Sequence, residues 1–490
     1  MQILPESFMP SSSPTSIQRR TKIVTTLGPA TDAPGVLHAL VAAGADVMRI
    51  NFSHGSADDH ARRIWLVREA AAKLGRDVGI LADLQGPKIR VESFANGPVE
   101  LRDGAPFALD TALGKADGDE TVVGCAYKRL PHDVFAGDTL LLNDGAIAMR
   151  VEKVEGTRID CVVTQGGILS NRKGINKLGG GLSAAALTDE DKANIRHAAS
   201  WDVDFIAVSF PRSAADMHEA RNLVREAGGQ AQLIAKIERA EALTNLEQIV
   251  AASDGVMVAR GDLGVEIGDA ELPGWQKKII AAGREGNKMV ITATQMMESM
   301  ITSPIPTRAE VLDVANAVMD GTDAVMLSAE TASGKYPVKV VETMVRVVLG
   351  AESHPMPDIN LGDSHFKKID EAVAMATAWT ARRMHAQAIL AMTESGSSAL
   401  MMSRVERYIP IYALTRHDRT RRRMALCRGV YPVLFDPSSL DGMVAVREAV
   451  EALKHRGLVK DGDRVLITKG DFTGPGGTNA MKIVTVGMLG

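Results

Sequence analysis

Between residues 22 and 330, short apolar runs of β type alternate with helical segments, and this alternation limits what the chain can fold into. Such runs are typical of parallel strands that are buried on both faces. Eight strand–helix units form a (β/α)₈ barrel, whose active site lies at the carboxyl ends of the strands. We therefore predict an α/β fold based on a TIM barrel of residues 21–86 and 187–352. The eight runs, three before one interruption and five after it, are residues 22–28, 46–53, 77–84, 203–210, 232–238, 255–264, 288–295 and 324–330.

The interruption, residues 87–186, has a different pattern. It contains short β-rich segments separated by turn sequences such as Ala95-Asn96-Gly97-Pro98 and Asn143-Asp144-Gly145. We interpret this part as a small β-barrel domain, inserted as a lid. The alternation resumes at Thr188-Asp189-Glu190-Asp191, which predicts a capping box at the start of the next helix.

The two ends of the chain differ from the barrel. Residues 1–20 are rich in Ser and Pro and are predicted to be a disordered leader. Pro355-Met356-Pro357 begins a predicted linker. Further β-type runs alternating with helical segments within residues 353–490 predict a C-terminal α/β domain.

The composition argues against several classes of protein. The chain of 490 residues has a formal net charge of -4, so it has no general attraction to nucleic acid or to an anionic membrane. Cys125, Cys161 and Cys427 form no C-x-x-C pair, so neither a zinc site nor a disulfide framework is indicated. No apolar run approaches the roughly 20 residues that span a bilayer. We expect a cytoplasmic protein without nucleic acid or membrane partners.

Two predicted barrel strands end in charged residues. Lys236 and Glu238 are two positions apart on one run, so their side chains point to the same side. Asp262 follows the next run and adds a second carboxylate, so that the pair can hold a hard divalent cation beside an anion-binding lysine. The pattern indicates a metal-assisted phosphate or carboxylate site. A structural salt bridge at the barrel mouth is the alternative that these three residues leave open.

Other strand ends carry distinctive sequences. They include Met48-Arg49-Ile50-Asn51-Phe52-Ser53-His54-Gly55, Ala82-Asp83-Leu84-Gln85-Gly86-Pro87-Lys88-Ile89-Arg90 and Thr292-Ala293-Thr294-Gln295-Met296-Met297-Glu298-Ser299-Met300. With these sequences the chain resembles the pyruvate kinase family, from residue 22 to the C-terminus. In that family a barrel, a β-rich lid and a C-terminal domain occur in this order, which agrees with the organisation predicted above.

The resemblance implies that the chain transfers the phosphoryl group of phosphoenolpyruvate to ADP and then protonates the enolate to pyruvate, the last step of glycolysis. It also implies that Glu238 and Asp262 are ligands of Mg²⁺ or Mn²⁺, and that Lys236 and Arg49 bind the transferring phosphate. These roles suit phosphoryl transfer, which is catalysed mainly by positioning and by neutralising charge.

The resemblance assigns further substrate contacts. The backbone N–H groups of Gly261 and Asp262 match the cradle for the substrate carboxylate. Thr294 lies on the side from which the enolate is protonated. Because a hydroxyl is a poor acid by itself, we assign Thr294 to a relay through water or to positioning. The implied nucleotide contacts are Pro29, Asn51, His54, Arg90 and Lys173.

Two of the nucleotide contacts lie at or within the predicted lid. Closure of the lid is predicted to bring Arg90 and Lys173 onto the phosphates of ADP and to expel water. Alternatives remain for two residues: Ser53-His54-Gly55 is also typical of a turn that leads into a helix, and Lys173 of a solvated loop charge.

One position departs from the more familiar form of the family. Members that require K⁺ resemble this chain at Asn51, Ser53, Asp83 and the carbonyl of Leu84, but they carry Glu where this chain has Lys88. The Lys88 ammonium would supply covalently the charge that K⁺ supplies in those members. We therefore hypothesise that catalysis does not require K⁺. The alternative is that Lys88 points to solvent and K⁺ is still used.

The C-terminal domain contains a second candidate site. Small and hydroxyl residues follow a strand and lead into a helix, an arrangement that suits an anion. The segment resembles the family's phosphate-binding effector loop, and residues 469–479 resemble the loop that faces it. We hypothesise a sugar phosphate activator, with an ordinary Ser-capped helix as the alternative; the resemblance also implies a homotetramer. The effector residues are Thr393, Glu394, Ser395, Gly396, Ser397 and Ser398.

Two other classes of function remain open from the sequence. A metal-dependent aldolase or lyase of pyruvate would need Lys236 and the carboxylates, but not a lid with cations. A catalytically silent regulatory protein should lack at least one of the residues that the resemblance assigns to the reaction. The chain retains all of that set, namely Arg49, Lys236, Glu238, Asp262 and Thr294.

Overall fold

The structure is a computed structural model that describes residues 19–354, 366, 368–470 and 477–488. Residues 1–18 of the predicted leader and the predicted linker at 355–363 lie outside these residues. The chain divides into two compact units. One comprises residues 22–344, and the other comprises the described residues from 345 onward together with residues 19–21.

The first unit contains two kinds of strand, those of the barrel and those of the insertion. In chain order they are β1 (Lys22–Thr26), β2 (Val47–Asn51), β3 (Gly79–Asp83), β4 (Val99–Leu101), β5 (Pro106–Asp110), β6 (Val122–Gly124), β7 (Thr139–Leu142), β8 (Ile147–Glu155), β9 (Arg158–Gln165), β10 (Gly167–Leu169), β11 (Ile175–Lys177), β12 (Phe205–Val208), β13 (Gln232–Ile237), β14 (Gly255–Ala259), β15 (Met289–Ala293) and β16 (Ala324–Leu327).

Helices follow the barrel strands along the chain. They are α1 (Val36–Ala43), α2 (Ala57–Leu74), α3 (Leu130–Asp133, in the insertion), α4 (Asp189–Ser200), α5 (Ala214–Glu226), α6 (Ala240–Thr244), α7 (Leu246–Ala252), α8 (Arg260–Ile267), α9 (Leu272–Glu285), α10 (Arg308–Asp320), α11 (Ala329–Ala332) and α12 (Pro337–Glu352), whose last residues belong to the second unit. Short 3₁₀ turns form at Pro29–Thr31 and Glu298–Ile301.

Eight parallel strands close into a barrel in the order β1-β2-β3-β12-β13-β14-β15-β16. Closure is made by β1, which pairs with both β2 and β16. Each of the eight predicted runs contains one of these strands, so the predicted α/β class and TIM barrel are confirmed. Since all eight strands run in parallel, their carboxyl ends meet at one face of the barrel.

The helix boundaries follow local sequence signals. Ser56 accepts a hydrogen bond from the backbone N–H of Asp59 at the start of α2, and Gly75 ends that helix with a φ of 60°. Thr188 accepts a hydrogen bond from the N–H of Asp191 at 3.1 Å, and the Asp191 carboxylate accepts from the N–H of Thr188 at 2.9 Å. The predicted capping box is therefore confirmed.

The strand predicted over residues 255–264 is too long. The strand β14 ends at Ala259, and Arg260 begins α8. Gly and Asp are unfavourable in strands, and Asp262 lies in the first helical turn, where a carboxylate interacts favourably with the helix dipole. Asp262 therefore reaches the barrel mouth from the amino end of a helix.

The insertion, residues 87–186, is described completely and is rich in β structure. A six-stranded sheet has the order β11-β7-β8-β9-β5-β6, and β4 pairs with β10. Its core contains buried side chains such as Leu109, Leu140 and Met149. Residues 89–92 bond to both edges of the larger sheet. The N–H of Glu92 donates to the carbonyl oxygen of Gly124 in β6, and the N–H of Ile175 in β11 donates to the carbonyl oxygen of Ile89. Backbone hydrogen bonds therefore continue around this domain, as the predicted small β-barrel requires.

A glycine-rich segment leads from the insertion back to the barrel. Glycines 179–181 have φ values of 82°, 81° and 97°, in the region that favours glycine. Arg239, which follows β13, donates from Nη1 to the carbonyl oxygen of Leu182 at 3.2 Å. Glu241 accepts a hydrogen bond from the N–H of Gly181. These bonds attach the end of the insertion to the loop after β13.

The second unit contains a five-stranded sheet with the order β19-β18-β17-β20-β21, in which only β21 is antiparallel to its neighbour. Its core includes Leu390, Tyr412 and Val450, and the predicted C-terminal α/β domain is confirmed. No helix in the described ranges is both long and apolar enough to cross a membrane. The elements are α13 (Ile369–Arg383), β17 (Ala388–Met392), α14 (Ser397–Val405), β18 (Ile411–Thr415), α15 (Asp418–Met424), β19 (Val430–Leu434), α16 (Gly442–His455), β20 (Arg464–Gly470) and β21 (Thr478–Thr485).

Residues 19–21 belong to this second unit. The backbone N–H groups of Arg20 and Thr21 donate to the Glu352 carboxylate at 2.9 and 2.7 Å, and the Thr21 hydroxyl donates to it at 2.8 Å. Tyr431 donates from its hydroxyl to the carbonyl oxygen of Arg19. The prediction of a disordered leader up to residue 20 therefore does not hold for Arg19 and Arg20, because the buried Glu352 carboxylate requires such donors.

Candidate active site

Charged side chains from three strands meet at the carboxyl end of the barrel. Arg49 lies on β2, Asp83 ends β3 and Lys236 lies on β13. Arg49 donates from Nε to Oδ2 of Asp83 at 2.6 Å, and Nζ of Lys236 lies 3.2 Å from Oδ1 of the same carboxylate. The Lys236 ammonium also lies 2.8 Å from Oε1 of Glu238. One continuous cluster therefore contains two cations and two carboxylates.

Lys236 and Asp83 stay charged although they are buried. Burial lowers the pKa of Lys236, but the carboxylates of Asp83 and Glu238 outweigh burial, and the pKa is raised. For Asp83, burial raises the pKa, but the charges of Lys236 and Arg49 reverse this effect, and the pKa is lowered. Lys236 is therefore an ammonium and Asp83 a carboxylate at neutral pH.

Glu238 has a different balance. Burial raises its pKa, the charge of Lys236 opposes this, the negative charge of Asp262 adds to it, and the net pKa is raised. Its Oε2 accepts a hydrogen bond from the N–H of Phe210 at 2.8 Å. A divalent cation would offset the repulsion between Glu238 and Asp262.

The chemistry of these donors fits Mg²⁺ or Mn²⁺, which prefer oxygen ligands. Within the part of the chain that the structure describes, no group of three or more His, Cys, Asp or Glu side chains is arranged to hold a metal ion. Glu238 and Asp262 would thus supply two ligands, and substrate oxygens and water would complete the set, as is usual for Mg²⁺.

Lys88 lies beside Asp262, not beside Asp83. Its Nζ atom is 3.2 Å from Oδ1 of Asp262. The Asp83 carboxylate, expected to take part in a monovalent-cation pocket, is bound by Arg49 and Lys236. Two cations already balance Asp83, so no unbalanced charge remains there to attract Lys88.

The other atoms expected in that pocket also have partners within the chain. Oδ1 of Asn51 accepts a hydrogen bond from the N–H of Ser53 at 3.1 Å. The carbonyl oxygen of Leu84 accepts from the Ser209 hydroxyl at 2.7 Å. The structure brings Asn51 and Ser53 together. It places Leu84 next to Ser209, which the sequence prediction did not include.

Thr294 and Gly261 come together at the amino end of α8. The N–H of Gly261 donates to Oγ1 of Thr294 at 2.9 Å, and this hydroxyl donates to the carbonyl oxygen of Ala293 at 2.7 Å. Thr294 has a φ of 68°, which a β-branched residue rarely adopts. The turn after β15 thus directs the Thr294 hydroxyl at the N–H of Gly261, one of the two N–H groups that are predicted to cradle a carboxylate.

Ser209 and Arg260 belong to the site, although the sequence prediction gives neither a role. Ser209 follows β12, and its hydroxyl accepts a hydrogen bond from Nζ of Lys236 at 2.7 Å. A polar residue directly after a buried run was a usable signal for Ser209. Arg260 has a buried side chain that binds backbone carbonyls of the turn containing Thr294. Because every residue has a backbone carbonyl, the sequence does not show which carbonyls Arg260 binds.

The nucleotide residues fall into two groups. On the barrel, Pro29 begins a 3₁₀ turn, and the N–H of His54 donates to the carbonyl oxygen of Asn51. On the insertion, Arg90 pairs with Gly174 in an isolated bridge, directly beside Lys173. The contacts of the described residues do not join these two groups.

The candidate effector loop lies in the second unit. Gly396 precedes α14 with a φ of 86°, and the Ser395 hydroxyl accepts a hydrogen bond at 3.4 Å from the N–H of Ser397, the first residue of α14, so the Ser-capped alternative stays open. Ser398 is 3% exposed, and its hydroxyl has no hydrogen-bond partner among the described residues. Glu394 lies 3.5 Å from Nη2 of Arg416 and contacts Nε2 of His417. Of the loop predicted to face this one, residues 471–476 lie outside the described residues.

Comparison with known proteins follows the same division of the chain. A family profile described as "Pyruvate kinase, barrel domain" matches residues 18–341, and one described as "Pyruvate kinase, alpha/beta domain" matches residues 371–484. The chain is 56% identical over 477 residues to pyruvate kinase II of Salmonella typhimurium, covering 96% of this chain and 99% of that protein.

Two further relatives show similar coverage. A pyruvate kinase of Haemophilus influenzae is 53% identical over 460 residues, which are 92% of this chain and 96% of the relative. A pyruvate kinase of Mycobacterium tuberculosis is 42% identical over 472 residues, which are 96% of this chain and 99% of the relative. The similarity therefore extends over both units of the fold.

Proposed function

Because the chain belongs to the pyruvate kinase family, we propose that the charged cluster at the strand ends is the site where its reaction takes place. In that reaction the bond between phosphorus and the enol oxygen of phosphoenolpyruvate breaks, and a bond forms from phosphorus to the terminal phosphate of ADP. The enolate then takes up a proton at C3. Phosphoenolpyruvate, ADP and a proton are thereby converted to pyruvate and ATP.

The observation that carries this assignment is the pairing of Arg49 and Lys236 around one buried carboxylate. Asp83 contacts both cations, at 2.6 and 3.2 Å, so their charges are fixed before substrate binds. Fixed charges stabilise a transferring phosphoryl group with little reorganisation. Arg49 and Lys236 bind the phosphate of phosphoenolpyruvate, and Asp83 holds them in place.

Glu238 and Asp262 would hold Mg²⁺ or Mn²⁺. When bound, the metal supplies Lewis-acid stabilisation of negative charge on the substrate oxygens. The chain fixes both carboxylates by its own contacts, from the N–H of Phe210 to Glu238 and from Lys88 to Asp262.

The start of α8 binds the carboxylate end of the substrate. The N–H groups of Gly261 and Asp262 lie in its first turn, where the helix dipole favours an anion. Thr294, bonded to the N–H of Gly261 at 2.9 Å, is thereby next to the substrate. Its hydroxyl passes a proton from water to C3 or positions that water.

The lid residues Arg90 and Lys173 bind the phosphates of ADP, while Pro29, Asn51 and His54 receive the nucleotide on the barrel side. The proposal is supported by the adjacency of Arg90 and Lys173 on the insertion. Lid closure would bring the two groups to one ligand and exclude water from the reacting atoms.

We propose that catalysis does not depend on K⁺. Lys88 supports this by adding a cation beside Asp262, at 3.2 Å, within the site itself. The charge that a bound monovalent cation would add to the site is thus attached covalently.

A phosphorylated sugar is proposed to activate the enzyme at residues 393–398. The amino end of α14, where the N-cap Gly396 has no side chain, and the buried Ser398 hydroxyl without a described partner both suit a phosphate. Replacing Ser395 and Ser397 by alanine should abolish activation by a panel of sugar phosphates. Unchanged activation would reject this site.

We further propose a cytoplasmic homotetramer. Large apolar side chains are exposed on each unit taken by itself, such as Leu312 on α10 at 71% and Trp379 on α13 at 55%. Light scattering coupled to gel filtration tests this assembly, and a monomeric mass at micromolar concentration would contradict it.

The activity assay is pyruvate formation from phosphoenolpyruvate and ADP with Mg²⁺, with omission of each component as the control. Replacing Lys236 by methionine should lower kcat for pyruvate formation by about 100- to 1000-fold or more while the protein remains folded. A folded Lys236→Met variant with wild-type activity would contradict the site assignment. A folded wild-type protein without pyruvate kinase activity would favour a lyase or a regulatory protein instead.

A further inference from the structure

The buried guanidinium of Arg260 links α8 to the turn that carries Thr294. Its side chain is 7% exposed. Its Nε donates to the carbonyl oxygens of Ala293 at 3.3 Å and of Thr294 at 3.2 Å, and Nη2 also donates to Thr294. Arg260 therefore binds the carbonyl oxygens of two successive peptide bonds, one on each side of the Thr294 Cα atom.

This turn has an unfavourable backbone conformation. Thr294 and Gln295 have φ values of 68° and 53°, in the left-handed region that β-branched residues in particular avoid. Such a conformation persists only when surrounding contacts hold it. The hydrogen bonds from Arg260 to the carbonyl of Thr294 are contacts of this kind.

Asp313 on α10 fixes the guanidinium from the other side. Both of its carboxylate oxygens accept from Nη1 of Arg260 at 2.7 Å. Gln276 adds a longer contact, at 3.4 Å from the same nitrogen. With Nη1 bound to Asp313, Nε and Nη2 face the turn, so the carboxylate sets the orientation in which Arg260 binds the carbonyls.

The consequence is a fixed position for the Thr294 hydroxyl. Arg260 is the first residue of α8, and the N–H of the next residue, Gly261, donates to Oγ1 of Thr294. The same residue thus anchors the helix end by its backbone and the turn by its side chain. A displacement of the guanidinium would move the hydroxyl relative to the carboxylate cradle.

We infer that Arg260 is a positioning residue for protonation of the enolate, that it acts through Thr294, and that Asp313 is its anchor. The inference rests on the proposed role of Thr294. In the step concerned, a proton adds to C3 of the enolate, the electrons of the carbon–carbon double bond form the new C–H bond, and the C2 oxygen becomes the ketone oxygen of pyruvate.

The test separates protonation from substrate binding. The reverse of this step exchanges the C3 hydrogens of pyruvate with D₂O in the presence of Mg²⁺ and ATP, and NMR follows it. In Arg260→Met and Asp313→Asn we expect exchange to slow by about 10- to 100-fold, the effect of a displacement of about 1 Å. The KM for phosphoenolpyruvate should change far less than kcat, and Arg260→Lys should recover part of the loss.

A second background tests whether Arg260 acts through Thr294. In a Thr294→Ala protein, adding Arg260→Met should slow exchange no further, because the hydroxyl that Arg260 positions is already gone. Arg221→Met is the matched control, since Arg221 pairs with Asp254 at 3.0 Å before β14, at the amino end of the barrel. This control should leave exchange unchanged.

The inference would be overturned if Arg260→Met slowed hydrogen exchange equally with and without the Thr294 hydroxyl. It would also be overturned if the variants changed only the KM for phosphoenolpyruvate, or if exchange were unchanged in folded Asp313→Asn and Arg260→Met proteins. Failure of the proposed function is distinguishable, because the wild-type protein would then form no pyruvate and exchange no C3 hydrogens.

Discussion

The ammonium of Lys88 lies 3.2 Å from Oδ1 of Asp262 and 3.9 Å from Oδ1 of Asp144. Lys88 is in the segment where the chain leaves the barrel, Asp262 is in the first turn of α8, and Asp144 is in the turn between two strands of the insertion. One cation therefore connects the insertion to a proposed metal ligand. Metal binding and closure of the insertion are expected to affect each other through this residue.

Replacing Lys88 by glutamate should make the enzyme depend on K⁺. The substitution removes a positive charge beside Asp262 and adds a negative one, which a bound monovalent cation can balance. Initial rates in Na⁺ and in K⁺ at equal ionic strength measure the effect. We expect little difference for the wild-type protein and a several-fold increase in K⁺ for Lys88→Glu. A several-fold K⁺ activation of the wild-type protein would contradict the proposal.

Replacing Lys236 by methionine should reduce both activity and stability. Asp83 and Glu238 would lose a buried cation, a change that typically costs about 3–5 kcal/mol. Loss of one preorganised charge in a phosphoryl site lowers kcat by about 100- to 1000-fold or more. Urea unfolding and steady-state kinetics measure the two effects. Lys277→Met is the control, because Lys277 pairs with Asp320 at the surface, where the expected cost is at most about 1 kcal/mol.

Glu266 should make stability fall as the pH rises towards neutrality. Burial raises the pKa of Glu266 to about 7, and the charge of Arg239 and the N–H of Ala240 offset only part of this effect. Because the folded protein binds this proton more tightly than the unfolded chain, stability is highest below the unfolded pKa of 4.5 and is lost as pH rises through the folded pKa.

The Glu266→Gln variant tests this pH dependence. It should be more stable than the wild-type protein at pH 8, by about 1–3 kcal/mol, and the difference should shrink towards pH 5. Urea unfolding at the two pH values measures it. A constant difference across this range would show that Glu266 does not titrate there.

Replacing Ser398 by alanine should stabilise the free protein and weaken activation. The buried hydroxyl has no partner among the described residues, so its removal should raise stability by about 1 kcal/mol. A bound phosphate would lose one hydrogen bond, and the activation constant for a sugar phosphate should increase. Thermal unfolding without effector and an activation curve give the two values. Ser438→Ala is the control, because Ser438 lies in an exposed turn. The prediction would be contradicted if Ser398→Ala lowered both the stability of the free protein and the activation constant for the sugar phosphate.

Much of the fold follows from local sequence patterns. The eight apolar runs predicted the barrel because strands buried on both faces must be apolar along their length. The capping box at Thr188 was predictable because its donors and acceptors are three residues apart. The end of β14 was not, because the change of backbone at Arg260 depends on contacts with the turn after β15.

The candidate site divides in the same way. Arg49, Lys236 and Glu238 meet as expected, because strand ends of a parallel barrel converge on one face. The partner of Lys88 could not be predicted, since it depends on where a flexible side chain finds an unbalanced carboxylate after folding. Arg260 has two partner carbonyls, and every residue offers a carbonyl, so no residue type marks them in the sequence.

The position of residues 19–21 affects how the enzyme can be divided into fragments. A fragment beginning at residue 345 would contain the Glu352 carboxylate without the donors from Arg20 and Thr21. A buried carboxylate without its donors is costly, so such a fragment is expected to fold less stably than one to which residues 19–21 are restored. The C-terminal unit is thus a domain assembled from two separate stretches of the chain, and a cut at one place between them does not release it intact.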